Sequence, residues 1–435
     1  MTQRRLGRLL ADVGPLRDSP LYRGLFAGQT VSAMGTQITA IALAYQVYAL
    51  TRSTFDVGLL GVAVLVPLVL VGLLGGSLVD AVDRRRLVLI TSSVMATSSV
   101  LLAVQAFTGA ARVWPLYLLA ALTGGASALD QPARSTFIPR LLGTEQVAAA
   151  SALGQLSMNL SLTGGPLLGG LLIVGPGLGW AYSVDAVSFA AALAAVVRLP
   201  AMRPDGASVR PGLRATAEGL AWVRRHPVVM MTFLVDIDAM VFGMPRALFP
   251  AMAATRYGGG GTTLGLLSAA PAVGAVVAAV LSGPLSRVGR QGRGVLVSVA
   301  VWGAAIAGFG LTRSLGAGLG FLAVAGAADM VSGVFRSTIL LTAAPDELRG
   351  RLQGVFFVVV AGGPRLGDVE SGSAASLVGL GPAAWSGGLL CLVGLAALAL
   401  AVPAFARYDA TPPTGPEVGH EPAGVLVELA EATAE

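Results

Sequence analysis

The chain has 435 residues, of which 54% are hydrophobic and only 12% are charged, and its mean hydropathy is +0.76. A soluble domain has about 45–50% apolar and about 25% charged residues, so this composition excludes an ordinary soluble protein and predicts an integral membrane protein. The formal net charge of +6 comes from 29 basic residues, all arginine, most of them in short loops between apolar runs. That pattern orients membrane helices and argues against nucleic acid as a partner.

Twelve apolar segments are long enough to cross a bilayer, because a helix that spans about 30 Å of hydrocarbon needs about 20 residues. The predicted spans are 24–50, 55–79, 87–109, 114–138, 146–173, 179–199, 228–254, 262–286, 294–312, 317–342, 352–379 and 383–405. They predict an all-α integral membrane protein with twelve transmembrane helices. The loops on the side of both termini hold 21 arginines, whereas the opposite loops hold Arg52, Arg112, Arg256 and Arg313. The excess predicts that both termini are cytoplasmic.

Composition divides the chain into four parts. Residues 1–199 and 227–406 each contain six predicted helices. Residues 200–226 are a proline-rich and charged linker with an amphipathic segment between Leu213 and Arg225. Residues 407–435 are rich in Pro, Glu, Ala and Thr, so we expect a disordered cytoplasmic tail.

The two six-helix parts repeat each other. The sequence Arg134-Ser-Thr in predicted helix 4 recurs as Arg336-Ser-Thr in predicted helix 10, and Glu145 recurs as Glu347 at the same offset. A Gly-Gly-Pro in predicted helix 5 also recurs in predicted helix 11. A parallel repeat of six plus six helices predicts two pseudo-symmetric bundles with a substrate site near the bilayer midplane between them.

The loop between predicted helices 2 and 3 carries a specific motif, GGSLVDAVDRRR at residues 75–86. It resembles the loop 2–3 signature of the major facilitator superfamily, G-x-L-x-D-x-x-G-R-R/K. The matching positions are Gly76, Leu78, Asp80, Arg84 and Arg85, and Asp83 stands where the signature has its second glycine. The alternative is that the arginines are only a charge cluster that stops translocation.

Further segments, at 51–61, 129–142, 245–254 and 346–356, resemble the enterobactin-exporter branch of that superfamily, near the macrolide and multidrug effluxers. The resemblance implies a secondary active exporter in a bacterial cytoplasmic membrane that moves a siderophore or a similar amphipathic small molecule by alternating access and proton antiport. The first alternative is a broad multidrug or macrolide efflux pump. A remote alternative is a membrane receptor or scaffold that does not transport.

Predicted helix 5 contains Gly165, Pro166, Gly169 and Gly170, which resemble the GPxxGG core of the antiporter motif in superfamily exporters. Glycine and proline let a helix bend and let a neighbouring helix approach closely. The motif therefore predicts a hinge at the interface of the two halves, and ordinary packing of small residues is the alternative.

A group of charged residues is expected to form a cytoplasmic gate. Asp130 and Arg134 lie four apart on one helical face and can pair. The resemblance implies that Asp130 also binds Arg84 and that Asp80 caps the start of predicted helix 11. The predicted gate consists of Asp80, Arg84, Arg85, Asp130, Arg134, Glu145, Arg287, Arg336 and Glu347. The alternative is a static clamp that only fixes topology.

Acidic residues near the middle of predicted helices are candidates for proton coupling, because ionisable groups in the membrane interior are costly and serve function by default. They are Asp236 and Asp238, which point to opposite faces of helix 7, and Asp329 in helix 10. Arg246 and Glu370 complete the predicted coupling and cavity residues. Arg246 is expected to help close the outer gate or to attract an anionic substrate, and a membrane anchor is the alternative.

The sequence contains no nucleotide-binding loop of the G-x-x-x-x-G-K-S/T type, no catalytic triad and no metal-ligand cluster. Cys391 is the single cysteine, so an internal disulfide is excluded, and His226 is an isolated loop residue. We therefore expect a transporter rather than an enzyme, with a proton gradient and no cofactor. The expected partners are the lipid bilayer and a small-molecule substrate, and we expect a monomer.

Overall fold

The computed structural model describes residues 12–110, 112–143, 145–202, 221–283, 285, 288–343 and 346–409, without the side chains of 73–81, 346–358 and 360–361. Twelve long helices appear in this part of the chain. They are α1 Pro20–Thr51, α2 Thr54–Ala81, α3 Arg84–Thr108, α4 Trp114–Ser135, α5 Val147–Val174, α6 Leu178–Val197, α7 Pro227–Phe242, α8 Gly260–Val280, α9 Gln291–Leu311, α10 Leu315–Ala343, α11 Asp346–Val378 and α12 Leu380–Ala401.

Nine helical segments of the described chain are long and apolar enough to cross a membrane. The three others, α1, α4 and α11, carry buried polar side chains such as Gln46, Asp130 and Asp368. The prediction of an all-α integral membrane protein is therefore confirmed.

Helix α3 begins three residues before its predicted start, and the sequence at its N-terminus explains why. Asp83 is the N-cap, and its side chain accepts a hydrogen bond from the backbone N–H of Arg86 at 3.1 Å. A capped start satisfies a backbone donor that the first turn leaves free. The three arginines expected in a loop thus form the first turn of α3.

The predicted continuous helix over 228–254 is interrupted. Helix α7 ends at Phe242, and a 3₁₀ turn Arg246–Leu248 follows, then one α-helical turn Phe249–Ala251 and a π-helical turn Met252–Arg256. Gly243 and Pro245 lie at the break, where proline cannot donate a backbone hydrogen bond. The break places Arg246 beside α11.

The helices form two groups of six. In the first, α1 packs on α5 and α6, α3 packs on α4 and α6, and α2 packs on α4. In the second, α9 packs on α10 and α12, α8 on α10, and α7 on α11 and α12. The groups meet where α5 packs on α8 and where α2 packs on α11. Since α2 corresponds to α8 and α5 to α11 in the repeat, these two interfaces are related by pseudo-symmetry.

One end of the molecule holds the connections α1–α2, α3–α4, α5–α6, α7–α8, α9–α10 and α11–α12. We call it the distal end. Among the described residues, the glycine contacts between the two groups lie toward the distal end. A Cβ atom placed on Gly170 of α5 would lie 2.5 Å from the carbonyl oxygen of Gly261 in α8. A Cβ atom on Gly58 of α2 would lie 2.5 Å from the carbonyl oxygen of Asp368 in α11. The hydroxyl of Thr54 also donates to the carbonyl of Gly372 at 3.0 Å. Backbone contact of this kind needs glycine, so the distal end is closed in this structure.

Candidate functional site

The first six-helix group contains a buried ion pair within one helix. The guanidinium of Arg134 donates to Asp130 one turn earlier in α4, and both residues are buried. Asp130 also accepts hydrogen bonds from the hydroxyls of Thr91 at 2.7 Å and Ser92 at 3.2 Å, both from α3. Arg134 in turn donates to Ser92 at 2.6 Å. The pair is therefore neutral and supported by hydroxyl groups.

The loop motif lies apart from this pair. The Asp130–Arg84 contact that the resemblance implied is not formed, because Asp130 binds Arg134 and the two hydroxyls. The backbone N–H of Arg84 instead donates to Met202 at 3.1 Å, and the N–H of Met202 donates to the side chain of Asp83 at 3.1 Å.

Arg85 adds to the contact between the loop motif and the residues that follow α6. Its guanidinium donates to the carbonyls of Val196 and Val197, the last residues of α6. Cationic side chains stabilise the C-terminal end of a helix, where the carbonyls lack partners. The motif thus ties the start of α3 to the end of α6.

Of the other predicted gate residues, Glu145 is exposed in the turn before α5. Asp80, Arg287 and Glu347 lie outside the described residues or side chains. Their role in a gate therefore stays a prediction.

The second six-helix group contains a buried cluster of three charges, which we call the triad. Arg336 of α10 forms an ion pair with Asp236 of α7, and its second terminal nitrogen lies 3.6 Å from a carboxylate oxygen of Asp329 in α10. The side chains of Arg336 and Asp236 are 6% and 4% exposed, whereas that of Asp329 is 44% exposed. The structure thus unites Arg336, which the sequence placed in the gate, with two of the predicted coupling acids.

Asp238 lies apart from the triad. It faces α12, beside the thiol of Cys391, and a side chain at Gly394 would collide with its carboxylate. One of its carboxylate oxygens is buried without a hydrogen-bond partner. The two-residue spacing puts Asp236 and Asp238 against different helices.

A further group of charges lies where α7 is interrupted. Arg246 donates to the carboxylate of Asp368 in α11 at 3.3 Å. Arg365, half-buried three residues before Asp368, has no carboxylate within ion-pair distance in the described part of the chain. Glu370 is also half-buried, and no hydrogen bond or ion pair of its side chain is found among the described residues.

The glycines of the helix 5 motif contact both groups of helices. Gly165 faces α1, where a Cβ atom would lie 2.5 Å from the Cβ atom of Gln37. Gly170 faces α8, and a Cβ atom on Gly265 of α8 would lie 2.7 Å from the carbonyl oxygen of Pro166. Gly169 packs on Ile38. The motif lies at the interface of the halves within an unbroken helix, and a hinge stays a prediction.

A further buried acid, Asp185 of α6, is 1% exposed and was not among the predicted site residues. Its carboxylate accepts hydrogen bonds from Thr39 of α1 at 2.8 Å and from Ser99 of α3 at 2.7 Å. Asp185 could have been identified from the sequence, because it lies in the middle of a 20-residue apolar helix. The same criterion selected Asp236 as a candidate. Asp185 holds α1, α3 and α6 together through hydroxyl groups.

The two helix groups, their pseudo-symmetric interfaces and the charges buried within them define a transporter of the major facilitator superfamily. Residues 11–422 match the family model described as transmembrane secretion effector, so the chain belongs to that family. It is 28% identical over 406 residues to the enterobactin exporter EntS of Shigella boydii serotype 18, covering 93% of this chain and 97% of the relative. It is 27% identical to EntS of Escherichia coli O139:H28 with the same coverage.

Solved structures share the fold at low sequence identity. The nucleoside transporter NupG matches with a TM-score of 0.65 and 15% identity, over 89% of this chain and 100% of that one. A bacterial homologue of the human lysosomal transporter Spinster matches with a TM-score of 0.60 and 16% identity, over 88% and 96% of the two chains.

Proposed function

We propose that this protein is a secondary active exporter that moves a siderophore or a similar amphipathic small molecule across the bacterial cytoplasmic membrane by alternating access and proton antiport. The observation that carries the proposal is the charge count of the triad. Two carboxylates, Asp236 and Asp329, share one guanidinium, that of Arg336. With both acids ionised, the triad therefore carries one excess negative charge.

An excess charge in the membrane interior is costly, and a bound proton removes it. Asp236 is held against Arg336, whereas the side chain of Asp329 is 44% exposed. We infer that Asp329 is the acid that exchanges the proton. Protonation of either acid leaves Arg336 with a single partner. The triad thus alternates between two charge states as protons arrive and leave.

Alternating access is supported by the interfaces between the halves. The α5–α8 and α2–α11 contacts close the distal end through backbones that touch at glycine. The arginine distribution predicts that this end lies outside the cytoplasm. Closure outside, with release of these contacts in a second state, would expose the interior to each side in turn.

Export and the class of substrate are supported by the relatives, which are named enterobactin exporters. Arg365 has no carboxylate within ion-pair distance in the described chain and would attract an anionic part of a substrate. A broad multidrug or macrolide pump remains the alternative, and a scaffold without transport is the remote one.

The experiment is transport by the purified protein in proteoliposomes, with an iron-free catecholate siderophore and a macrolide as separate probes. We expect a pH gradient to drive uphill transport of the catecholate. Asp236→Asn and Asp329→Asn should each abolish uphill transport but keep downhill exchange, because asparagine imitates the protonated acid. Asp238→Asn tests the remaining predicted coupling acid of the same helix, which faces α12, and it should keep uphill transport because the triad alone carries the proton in this proposal.

Uphill transport that survives both triad variants would contradict the assignment of the triad as the coupling site. Transport of the macrolide alone would favour the multidrug alternative. Absence of transport of either probe by the wild-type protein, with the fold intact, would favour the scaffold.

A further inference from the structure

The distal end of the second six-helix group contains a pocket that shares no lining residue with the triad. It has a volume of about 490 Å³ and is open to the surface. Its walls come from the end of the interrupted helix 7 segment, the end of α9, the α9–α10 loop and the start of α12. The lining includes Arg256, Gly310, Leu311, Arg313, Gly381 and Trp385.

The charge of this pocket is unusual for its position. Only four arginines lie in the distal loops, and two of them, Arg256 and Arg313, line this one pocket. The segments that form it, residues 252–262, 308–316 and 377–386, contain no aspartate or glutamate. Neither arginine forms an ion pair with a carboxylate in the described part of the chain. The pocket therefore has an uncompensated charge of about +2.

The backbone holds one of the two cations in place. Arg256 donates to the carbonyl of Gly310 at 2.9 Å, at the end of α9. A Cβ atom on Gly381 would lie 2.9 Å from a terminal nitrogen of Arg256, so glycine leaves room for the guanidinium. The remaining N–H groups of Arg256, and the exposed side chain of Arg313, are available to an anion.

Exposed apolar side chains lie in the pocket, at Leu311, and just before its α12 wall in the chain, at Leu377 and Val378. Leu311 is 69% exposed, Leu377 is 85% exposed and Val378 is 56% exposed. Trp385, which also lines the pocket, is half-buried, and tryptophan is enriched at the interface between bilayer and water. A ligand that binds both the arginines and the apolar side chains needs an anionic head and an apolar tail.

We propose that this pocket binds the phosphate headgroup of an anionic phospholipid from the distal leaflet, with the acyl chains along Leu311 and Leu377. Arginine forms paired hydrogen bonds with phosphate, and basic pockets between membrane helices bind anionic headgroups. A free phosphate ion would use the same two arginines but would leave the apolar rim without a role. The site is separate from the triad, so it does not depend on the proposed function.

The test is lipid retention by the full-length protein, measured by native mass spectrometry with phosphatidylglycerol and phosphatidylcholine as probes. The wild type should bind phosphatidylglycerol selectively. Arg256→Gln together with Arg313→Gln should weaken that binding about 30-fold, or about fivefold for each charge. The matched control, Arg52→Gln with Arg112→Gln, removes the other two distal arginines and should leave binding unchanged.

Equal retention by the double variant and the wild type would overturn the proposal, as would an equal loss in the control. Displacement of the lipid by millimolar inorganic phosphate would show a phosphate site instead. Because Arg313 is exposed, the single variant Arg313→Gln should keep the fold. It should lower binding about fivefold, and Arg313→Lys should restore binding. Failure of Arg313→Lys to restore binding that Arg313→Gln has lowered would contradict a role for charge.

Discussion

Asp130 and Asp236 are both buried carboxylates that meet an arginine, but the two arginines have different surroundings. Arg134 has one carboxylate and a serine hydroxyl, so its charge is balanced within α4 and α3. Arg336 has two carboxylates from two helices. At the scale of single residues, we therefore expect the first pair to contribute to stability and the second to exchange a proton.

The first of these roles predicts a stability difference. Asp130→Asn should lower the free energy of unfolding by about 3–5 kcal/mol, because Arg134 remains buried without its partner. The double variant Asp130→Asn with Arg134→Gln should recover much of this loss, since no unpaired charge is left. Thermal unfolding in detergent measures both. If the single and double variants unfold at the same temperature, the loss does not come from an unpaired charge.

At the scale of helices, α5 joins the halves through glycine. A side chain at Gly170 would overlap the carbonyl of Gly261. Gly170→Val should therefore separate α5 from α8 at the distal end and shift the population toward a distally open state. Accessibility of a cysteine placed near Gly261 to a membrane-impermeant thiol reagent measures that shift.

The control for this prediction lies in the same helix. Gly154 is exposed, and no atom lies within 4 Å of the position that a Cβ atom would occupy there, so Gly154→Ala should leave accessibility unchanged. A Gly170→Val protein with wild-type accessibility and full transport would show that the α5–α8 contact does not control opening.

The helices themselves were predictable because each depends on local composition. The predicted spans agree with most helix bounds to within a few residues, and the Asp130–Arg134 pair followed from its spacing of four. The triad was not predictable in this way, because Arg336 and Asp236 come from helices 100 residues apart whose contact is set by the packing of the whole half. Gly243 and Pro245 were a sequence signal for the break in α7, but the long apolar run around them favoured a continuous helix.

At the scale of the whole molecule, a disulfide across the closed distal end should hold the protein reversibly in this state. Ile173 of α5 and Gly261 of α8 face each other across the halves, and a Cβ atom on Gly261 would lie 3.0 Å from the Cβ atom of Ile173. A small adjustment brings this pair into the range of a disulfide. Ile173→Cys with Gly261→Cys, in a Cys391→Ala background, should cross-link under oxidation and stop transport.

Reduction should restore transport in the same sample, and either single cysteine variant should be insensitive to oxidation. Continued transport by fully cross-linked protein would contradict alternating access through this interface.

The different placement of the two buried arginines predicts unequal roles for the two halves in the proposed transport cycle. Both members of the Asp130–Arg134 ion pair belong to α4, and only hydroxyl groups of α3 join them to a second helix. The Asp236–Arg336 pair joins α7 to α10, so neutralising Asp236 loosens a link between two helices. We therefore expect the proton of the proposed cycle to change a contact between two helices of the second half, while the first half keeps its ion pair within one helix.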